Sequence, residues 1–151
     1  MEIYRIAFIG HREICNGFAL VDELEKIIRD LLSKKEYVEF SVGRNGDFDI
    51  FAAAAVKRAQ KAFGNHNSSL ILLQPYKTKD DEYYENYYDE VRYPIGARIH
   101  PKAAITKRNE WMIEHADLLI GYVEKNRMGG ACSAFKFAEK KGIPIVNLAK
   151  I

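Results

Sequence analysis

The chain has 151 residues, of which 48% are hydrophobic and 29% charged, and its formal net charge at pH 7 is +2. This length and composition predict one globular domain over residues 1–151 with a sizeable core, and not two domains. Because Lys and Arg are interleaved with Asp and Glu, the sequence has no basic footprint, and nucleic acid is not expected as a partner.

Targeting motifs and cysteine spacing indicate where the protein is located and whether it has disulfides or a metal site. No stretch has the charged start, apolar middle and cleavage site of a signal peptide, and no apolar run approaches the ~20 residues of a membrane span. We therefore expect a cytoplasmic protein without membrane contact. Cys15 and Cys132 have neither CxxC nor Cys/His ligand spacing, so the sequence predicts no disulfide framework and no metal site.

The first predicted strand ends in a glycine. Residues 3–9 are mostly apolar, as in a parallel strand buried on both faces. Gly10 then allows a tight turn that places His11 and Arg12 at the carboxyl end of the strand, where open α/β sheets bind ligands. These two side chains can hold an anion; the alternative is a tight turn with two solvated polar residues.

Two helices and two strands follow in alternation. A helix is predicted from Asn16, which can cap it, to about residue 34, and a short strand over 39–42. The strand ends in the segment 43–49, which carries two glycines and a potential helix-capping aspartate. A helix with small residues on one face comes next, and a third apolar strand spans 69–73.

The segment 76–93 is rich in tyrosine and is the least regular part of the chain. A short helix is predicted over 80–88 and an edge strand over 90–93. The rings can stack a nucleobase or, as is more common for amphipathic rings, cover a small core or form a contact between two copies of the chain. A homodimer is therefore among the candidate partners.

The last third of the chain carries a third glycine-bearing junction. A helix is predicted over 101–115, with Arg108 and Asn109 on it, followed by a strand over 118–122. Gly129 and Gly130 then open another helix, whose free N–H groups and positive dipole end favour a phosphate. A final strand spans 143–148.

This alternation predicts an α/β fold, a three-layer sandwich with a mainly parallel six-stranded sheet and helices on both faces. The predicted strand order, 4-3-2-1-5-6, makes strands 1 and 5 neighbours and puts Gly10 and Gly130 at one edge, with 43–47 alongside. Glycine-bearing junctions at one edge suggest a nucleotide-sized ligand with a phosphate. No GxGxxG followed by an acidic residue and no P-loop motif occurs, which disfavours a dinucleotide dehydrogenase and a P-loop NTPase.

Several motifs in this order resemble the SLOG superfamily, Rossmann-like domains named after the SMF/DprA and LOG proteins. They are FIGHR at 8–12, Gly43 with GDFD at 46–49, LLQPY at 72–76, Arg108-Asn109 with Met112 and Asp117, and Gly129-Gly130 before Ala138 and Asn147-Leu148. The chain is most similar to the small YpsA-like branch. The resemblance implies a Rossmann-like fold that binds a nucleotide-derived small molecule across the glycine-rich edges, with no further cofactor identified.

The LOG enzymes of this superfamily cleave the N-glycosidic bond of a nucleoside monophosphate, and they carry an Arg-Lys pair before the fifth strand and then PGGxGTxxE. Arg108 matches that arginine, and Asn109 replaces the lysine. Gly129 and Gly130 match the glycine pair, Met128 replaces the proline, Cys132 the next glycine, Ser133 the threonine and Lys136 the glutamate. A lysine neither stabilises an oxocarbenium-like state nor activates water well.

The resemblance therefore implies a module that binds or senses a nucleotide without turning it over. The alternative is an enzyme of LOG type in which Asp47, Asp49 or another carboxylate takes the role of the glutamate; a DNA-associated role, by analogy with DprA, is not favoured by the charge. Arg108 either contacts the phosphate or ribose or is a solvated helix arginine. The candidate ligand-binding residues are Gly10, His11, Arg12, Gly43, Gly46, Asp47, Arg108, Asn109, Gly129, Gly130, Ser133 and Lys136.

Overall fold

Strands and helices alternate along the chain in the computed structural model, which describes residues 1–95 and 99–149 and, of residue 102, the backbone alone. The strands are β1 (Ile3–Gly10), β2 (Tyr37–Val42), β3 (Ser68–Leu73), β4 (Glu90–Arg92), β5 (Leu118–Tyr122) and β6 (Ile145–Asn147). The helices are α1 (Gly17–Lys34), α2 (Asp47–Phe63), α3 (Asp81–Tyr84), α4 (Pro101–Glu114) and α5 (Gly130–Lys141).

The six strands form one sheet in the order β4-β3-β2-β1-β5-β6, and each neighbouring pair is parallel. The α/β fold class and the strand order predicted from the sequence are confirmed. β1 lies between β2 and β5, and Gly10 at its end pairs with Tyr122 at the end of β5. The chain therefore reverses its direction of travel across the sheet between β1 and β5, which is where such sheets bind ligands.

Two cores flank the sheet because the buried side chains of β1 alternate between its faces. Ile6 and Phe8 point into a core shared with α1 and α2. Ala7 and Ile9 point into a second core shared with α4 and α5. This is the predicted three-layer arrangement, and it explains why residues 6–9 read as a continuous apolar run.

Close packing of α5 on the sheet depends on a glycine in β5. A Cβ added at Gly121 would lie 2.1 Å from the carbonyl oxygen of Ile9 and 2.5 Å from the ring of Phe135 on α5. The backbone of β1 cannot move away from such a contact, so only glycine lets these three elements approach each other.

Some predicted boundaries differ from the observed ones. β2 begins at Tyr37 because its pairing with β1 starts there, two positions before the predicted residue 39. The helix predicted over 80–88 is the single turn of α3. Asn16 precedes α1 in a left-handed conformation, with φ of 60°, and its side chain forms no capping hydrogen bond. Asn16 therefore lies at the start of the helix, as predicted, but the predicted capping by its side chain is wrong.

Candidate functional site

A cavity of about 330 Å³ opens at the carboxyl ends of β1 and β5. The predicted residues that line it are Gly10, His11, Arg12, Gly46, Arg108, Asn109, Gly129 and Gly130. They come from the loops after β1 and β2, from α4 and from the start of α5. The prediction that Gly10 and Gly130 lie at the same edge of the sheet is confirmed.

The loops after β1 and β2 are hydrogen-bonded to each other through their backbones. The N–H groups of Asp47 and Phe48 donate to the carbonyl oxygens of Arg12 and His11, at 2.8 and 3.3 Å. A Cβ added at Gly46 would lie 2.4 Å from the Cα of Arg12. The two loops therefore form one rigid wall, and Gly46 is glycine because the Arg12 backbone passes directly over it.

Arg108 is the buried cation of the site, since only 3% of its surface is exposed. Its guanidinium donates from Nη1 to the carbonyl oxygen of Leu73 at 3.3 Å and from Nη2 to Asn109 Oδ1 at 2.9 Å. None of the ion pairs among residues 1–95 and 99–149 includes Arg108. Burial lowers the pKa of Arg108, and the charge of Asp49 opposes this. The alternative of a solvated helix arginine is excluded.

Asp49 is the carboxyl group of the same cavity wall. It is 9% exposed, and its Oδ2 accepts the N–H of Asn45 at 2.8 Å. Burial raises the pKa of Asp49, against the opposing effects of that hydrogen bond and of the charges of Arg108 and Arg12. The sequence identified Asp49 only as an alternative catalytic carboxylate, and its position in the cavity wall makes that alternative geometrically available.

His11 connects the loop after β1 to the loop after β5. It is 5% exposed, and its Nε2 accepts the N–H of Glu124 at 2.8 Å. An accepting Nε2 requires a neutral ring with its proton on Nδ1. Burial lowers the pKa of His11, the charge of Arg127 lowers it further, and Glu124 opposes both. His11 is therefore a buried hydrogen-bonding group and not a solvated turn residue.

The start of α5 forms the open side of the cavity. Gly129 has φ of 142°, a conformation that side chains rarely adopt, and a Cβ at Gly130 would meet nothing within 4 Å. Arg127, which lines the cavity, pairs with Glu124 at 2.7 Å. The free N–H groups of the first turn and the helix dipole make this the side on which an anion is stabilised.

Four predicted residues lie outside the cavity lining. The Gly43 backbone packs against the Arg108 guanidinium, where an added Cβ would lie 2.6 Å from Nη1. Asp47 Oδ2 accepts the N–H of Ile14 at 3.0 Å. Ser133 and Lys136 are exposed on α5, because Ala131, Ala134, Phe135 and Ala138 face the core. Ligand contact by these four residues stays a prediction.

Three polar residues that line the cavity were not among the predicted ligand contacts, namely Asn45, Asp49 and Arg127. Asn45 and Asp49 belong to the glycine-bearing segment 43–49, so the sequence pointed to the correct loop. Arg127 had no comparable signal, because the loop after β5 was identified only by its glycine pair.

Neither a metal cluster nor a membrane span is found in the described part of the chain. Within residues 1–95 and 99–149, no group of three or more His, Cys, Asp or Glu side chains is placed to hold a metal ion. None of the helices in these ranges is both long and apolar enough to cross a membrane.

The comparison with known proteins identifies relatives in structure only. No protein-family model matches the chain, and no curated protein matches it in sequence. DNA processing protein A from Helicobacter pylori, described for its single-stranded DNA binding mode, superposes with a TM-score of 0.67 at 17% identity, over 98% of this chain and 66% of its own. The chain thus spans about two thirds of that protein.

The molybdenum cofactor carrier protein of Chlamydomonas reinhardtii is similar as well. Its two structures superpose with TM-scores of 0.61 and 0.58 at 15% and 14% identity, each over 99% of this chain and over 79% and 78% of their own. These likenesses show the Rossmann-like α/β fold that the sequence motifs predicted. The YpsA-like branch stays a prediction.

The prediction that nucleic acid is not a partner is contradicted. It rested on the net charge of +2. A protein with the same fold is described as binding single-stranded DNA, so a near-neutral sum of charges is no ground for excluding nucleic acid. The sum hides the local distribution, because Arg12, Arg108 and Arg127 all line the first cavity, whereas Asp49 is its one acidic lining residue among those the structure describes.

Proposed function

We propose that the protein binds a nucleotide-derived ligand in the cavity at the carboxyl edge of the sheet, with the ligand's phosphate between Arg108 and the start of α5. The observation that carries this proposal is the Arg108 guanidinium, which is buried in the cavity wall and bonded to neutral acceptors. A buried positive charge of this kind is stabilised by an anion that enters the cavity.

The size and the charge of the cavity support a mononucleotide. Its volume of about 330 Å³ lies at the lower end of the range of ~300–1,000 Å³ for small-molecule sites. Arg12, Arg108 and Arg127 line it together with a single carboxyl group, Asp49. A phosphate can bond to an arginine fork and to the free N–H groups of α5 at the same time.

The structural relatives support ligand binding by this fold in a general way. DNA processing protein A is described as binding single-stranded DNA, which carries phosphate groups, and the second relative is named as the carrier of a cofactor. The proposal for this chain rests on its own cavity and takes from the relatives only that such folds hold ligands.

A calorimetric titration with adenosine monophosphate and with inorganic phosphate tests the proposal. Arg108→Gln removes a charged hydrogen-bonding group worth about 1.5–3 kcal/mol and should weaken nucleotide binding by roughly tenfold to a hundredfold. Arg12→Gln alters an exposed cation of the same cavity and should weaken binding without affecting the core. The matched control is Arg29→Gln, which removes the same charge from α1.

Equal affinity of the wild type and both cavity variants would contradict the proposal, as would the absence of binding at millimolar nucleotide. Because Arg108 also bonds to Leu73 and Asn109, the unfolding transition of each variant is recorded beside the titration. The Arg12 variant keeps the test decisive if Arg108→Gln unfolds.

A second candidate, cleavage of the N-glycosidic bond, is favoured by the position of Asp49. In such hydrolysis the bond between ribose C1′ and the base breaks, water adds at C1′, and a proton of that water leaves with the base. A buried carboxyl in the cavity wall can stabilise the positive charge at C1′ and accept the proton of the attacking water. Lys136, whose charge would oppose the reaction, is exposed and outside this cavity.

Incubation with adenosine monophosphate and chromatography for free adenine tests this second candidate. The wild type should release adenine, and Asp49→Asn should abolish release while keeping binding, because the amide can still accept the N–H of Asn45. Release no faster than in buffer would remove the enzyme candidate and leave binding as the function.

A further inference from the structure

A second cavity of about 210 Å³ is lined mainly by aromatic rings. Tyr83, Tyr84, Tyr87 and Tyr88 surround it together with Arg44, and we refer to it as the tyrosine cavity. The segment that leads from β2 into α2 lines both cavities: Asn45, Gly46 and Asp49 face the first, and Arg44 and Ile50 face the second.

The four rings divide into a structural pair and an exposed pair. Tyr88 is 3% exposed and belongs to the core beneath α2, against which Tyr84 also packs. Tyr83 and Tyr87 are 70% and 39% exposed. The rings touch edge to face, with centroids 5.9 Å apart for Tyr83 and Tyr84 and 4.9 Å apart for Tyr87 and Tyr88. The buried pair thus holds the exposed pair in place and leaves two aromatic faces in solvent.

Two cations lie against these rings. The Arg44 guanidinium stacks over Tyr84, 4.8 Å from its centroid, and its Nη1 donates to the Tyr88 hydroxyl at 3.2 Å. Lys57 Nζ lies 5.0 Å from the centroid of Tyr87. The guanidinium is thereby held over Tyr84, and among the described residues it forms no ion pair.

Acidic residues share the segment with the tyrosines, but among the described residues none of them lines the tyrosine cavity, whose charged lining residue is Arg44. Asp81 accepts hydrogen bonds from Thr78 and Tyr93. Asp89 accepts the N–H of Leu70 at 2.7 Å, and Glu90 pairs with Arg92 at 2.7 Å. Arg44 and Lys57 are the cations that lie over rings of the cavity.

We propose that the tyrosine cavity is a second binding site, which takes a nucleobase, either of a free nucleoside or of a single-stranded nucleic acid. Exposed tyrosine faces stack on planar rings, and the Arg44 guanidinium beside them provides a further stacking surface. The N–H groups of Arg44 and the tyrosine hydroxyls can bond to the nitrogen and oxygen atoms at the edge of a base, which a purely hydrocarbon ring lacks. This site does not require a ligand in the first cavity.

Two titrations test the proposal: calorimetry with adenosine, which carries no phosphate, and fluorescence anisotropy with a labelled single-stranded hexanucleotide. Tyr83→Ala and Tyr87→Ala remove exposed rings and should each weaken binding by about tenfold, because each removes an aromatic face on which a base can stack. Tyr76→Ala is the matched control, since Tyr76 is 47% exposed and lies outside the cavity.

The two probes distinguish the source of the base. If the tyrosine variants weaken the binding of both probes, the site takes any nucleobase. If they weaken the binding of the hexanucleotide alone, the site takes the bases of a single-stranded nucleic acid. Affinities that are unchanged in both variants, or the absence of binding of both probes to the folded wild type, would overturn the proposal.

The same titrations separate this site from the first cavity. Arg108→Gln should leave adenosine binding within about twofold of the wild type while it weakens adenosine monophosphate. If adenosine monophosphate does not bind at all but hexanucleotide binding still depends on Tyr83 and Tyr87, the proposed function fails and the second site stands. If Arg108→Gln abolishes adenosine binding and the tyrosine variants do not alter it, the second site fails.

Discussion

His11 links two loops of the first cavity through a hydrogen bond that only a neutral ring can accept. Its Nε2 receives the N–H of Glu124, and burial keeps its pKa below the ordinary value of 6.5. Below about pH 6.5 the unfolded chain therefore binds more protons at this residue than the folded chain does. It follows that the free energy of unfolding falls as the pH decreases through this window.

Urea unfolding at about pH 7.5 and about pH 5.5 checks this prediction. The wild type should lose more stability between these two values than His11→Gln, whose side-chain oxygen can accept the Glu124 N–H without titrating. The comparison between the two proteins isolates His11 from the other groups that titrate. An equal loss in both would show that protonation of His11 does not control the link between the loops.

The contribution of Asp49 to stability should change with pH in the opposite direction to that of His11. Because burial raises the pKa of Asp49 above the ordinary value of 3.8, the folded chain holds the proton more tightly than the unfolded chain. The contribution of Asp49 to stability therefore decreases as the pH rises from about 4 to its folded pKa. Asp49→Asn should be more stable than the wild type at pH 7, and this advantage should shrink at pH 4. A variant less stable than the wild type at pH 7 would mean that the charge of Arg108 outweighs the cost of burial.

At the scale of secondary-structure elements, substitutions of one glycine in β5 and one in α5 test how α5 packs on the sheet. Gly121→Ala places a methyl group 2.1 Å from the Ile9 carbonyl oxygen, and such overpacking should lower the free energy of unfolding by about 1–3 kcal/mol. Gly130→Ala, in the first turn of α5, meets nothing within 4 Å and should change stability by less than about 1 kcal/mol. Similar denaturation midpoints for both variants would contradict this account of the packing.

The elements themselves were largely predictable because each has a strong local pattern. The apolar run of β1 and the helical period of α1 were recognised at nearly their observed bounds. Asn16 was expected to cap α1, but its own backbone lies in the left-handed region, where its side chain does not bond to the helix. Local propensity can predict such a helix boundary, whereas the capping hydrogen bond depends on the backbone conformation of the preceding loop.

The inward face of α5 was predictable from helical spacing in the sequence. Ala131, Ala134, Phe135 and Ala138 share the core face, and this spacing turns Ser133 and Lys136 outward. The motif comparison instead placed both at the ligand, by analogy with the threonine and glutamate of LOG enzymes. Both side chains are exposed and outside the cavity lining, and their contact with a ligand stays a prediction.

For the whole molecule, the alternation of elements predicted the parallel α/β sheet, and the predicted strand order, which is confirmed, brings the glycine-bearing loops together. The burial of Arg108 could not be predicted in this way. It depends on a contact between α4 and the Gly43 backbone, and on the carbonyl oxygen of Leu73 in β3. Side chains that become buried through three separate elements are determined by tertiary packing and not by any local pattern.

The central claim is that the ligand binds where the glycine-bearing loops meet, and nuclear magnetic resonance tests it most directly. Titration of ¹⁵N-labelled protein with adenosine monophosphate should shift the amide signals of Gly10, Gly46, Gly129 and Gly130, which line the cavity. The signals of Gly64 and Gly142, which end α2 and α5 away from it, should stay in place. Shifts confined to Gly64, Gly142 or other residues far from the cavity, or no shifts at millimolar nucleotide, would contradict the claim.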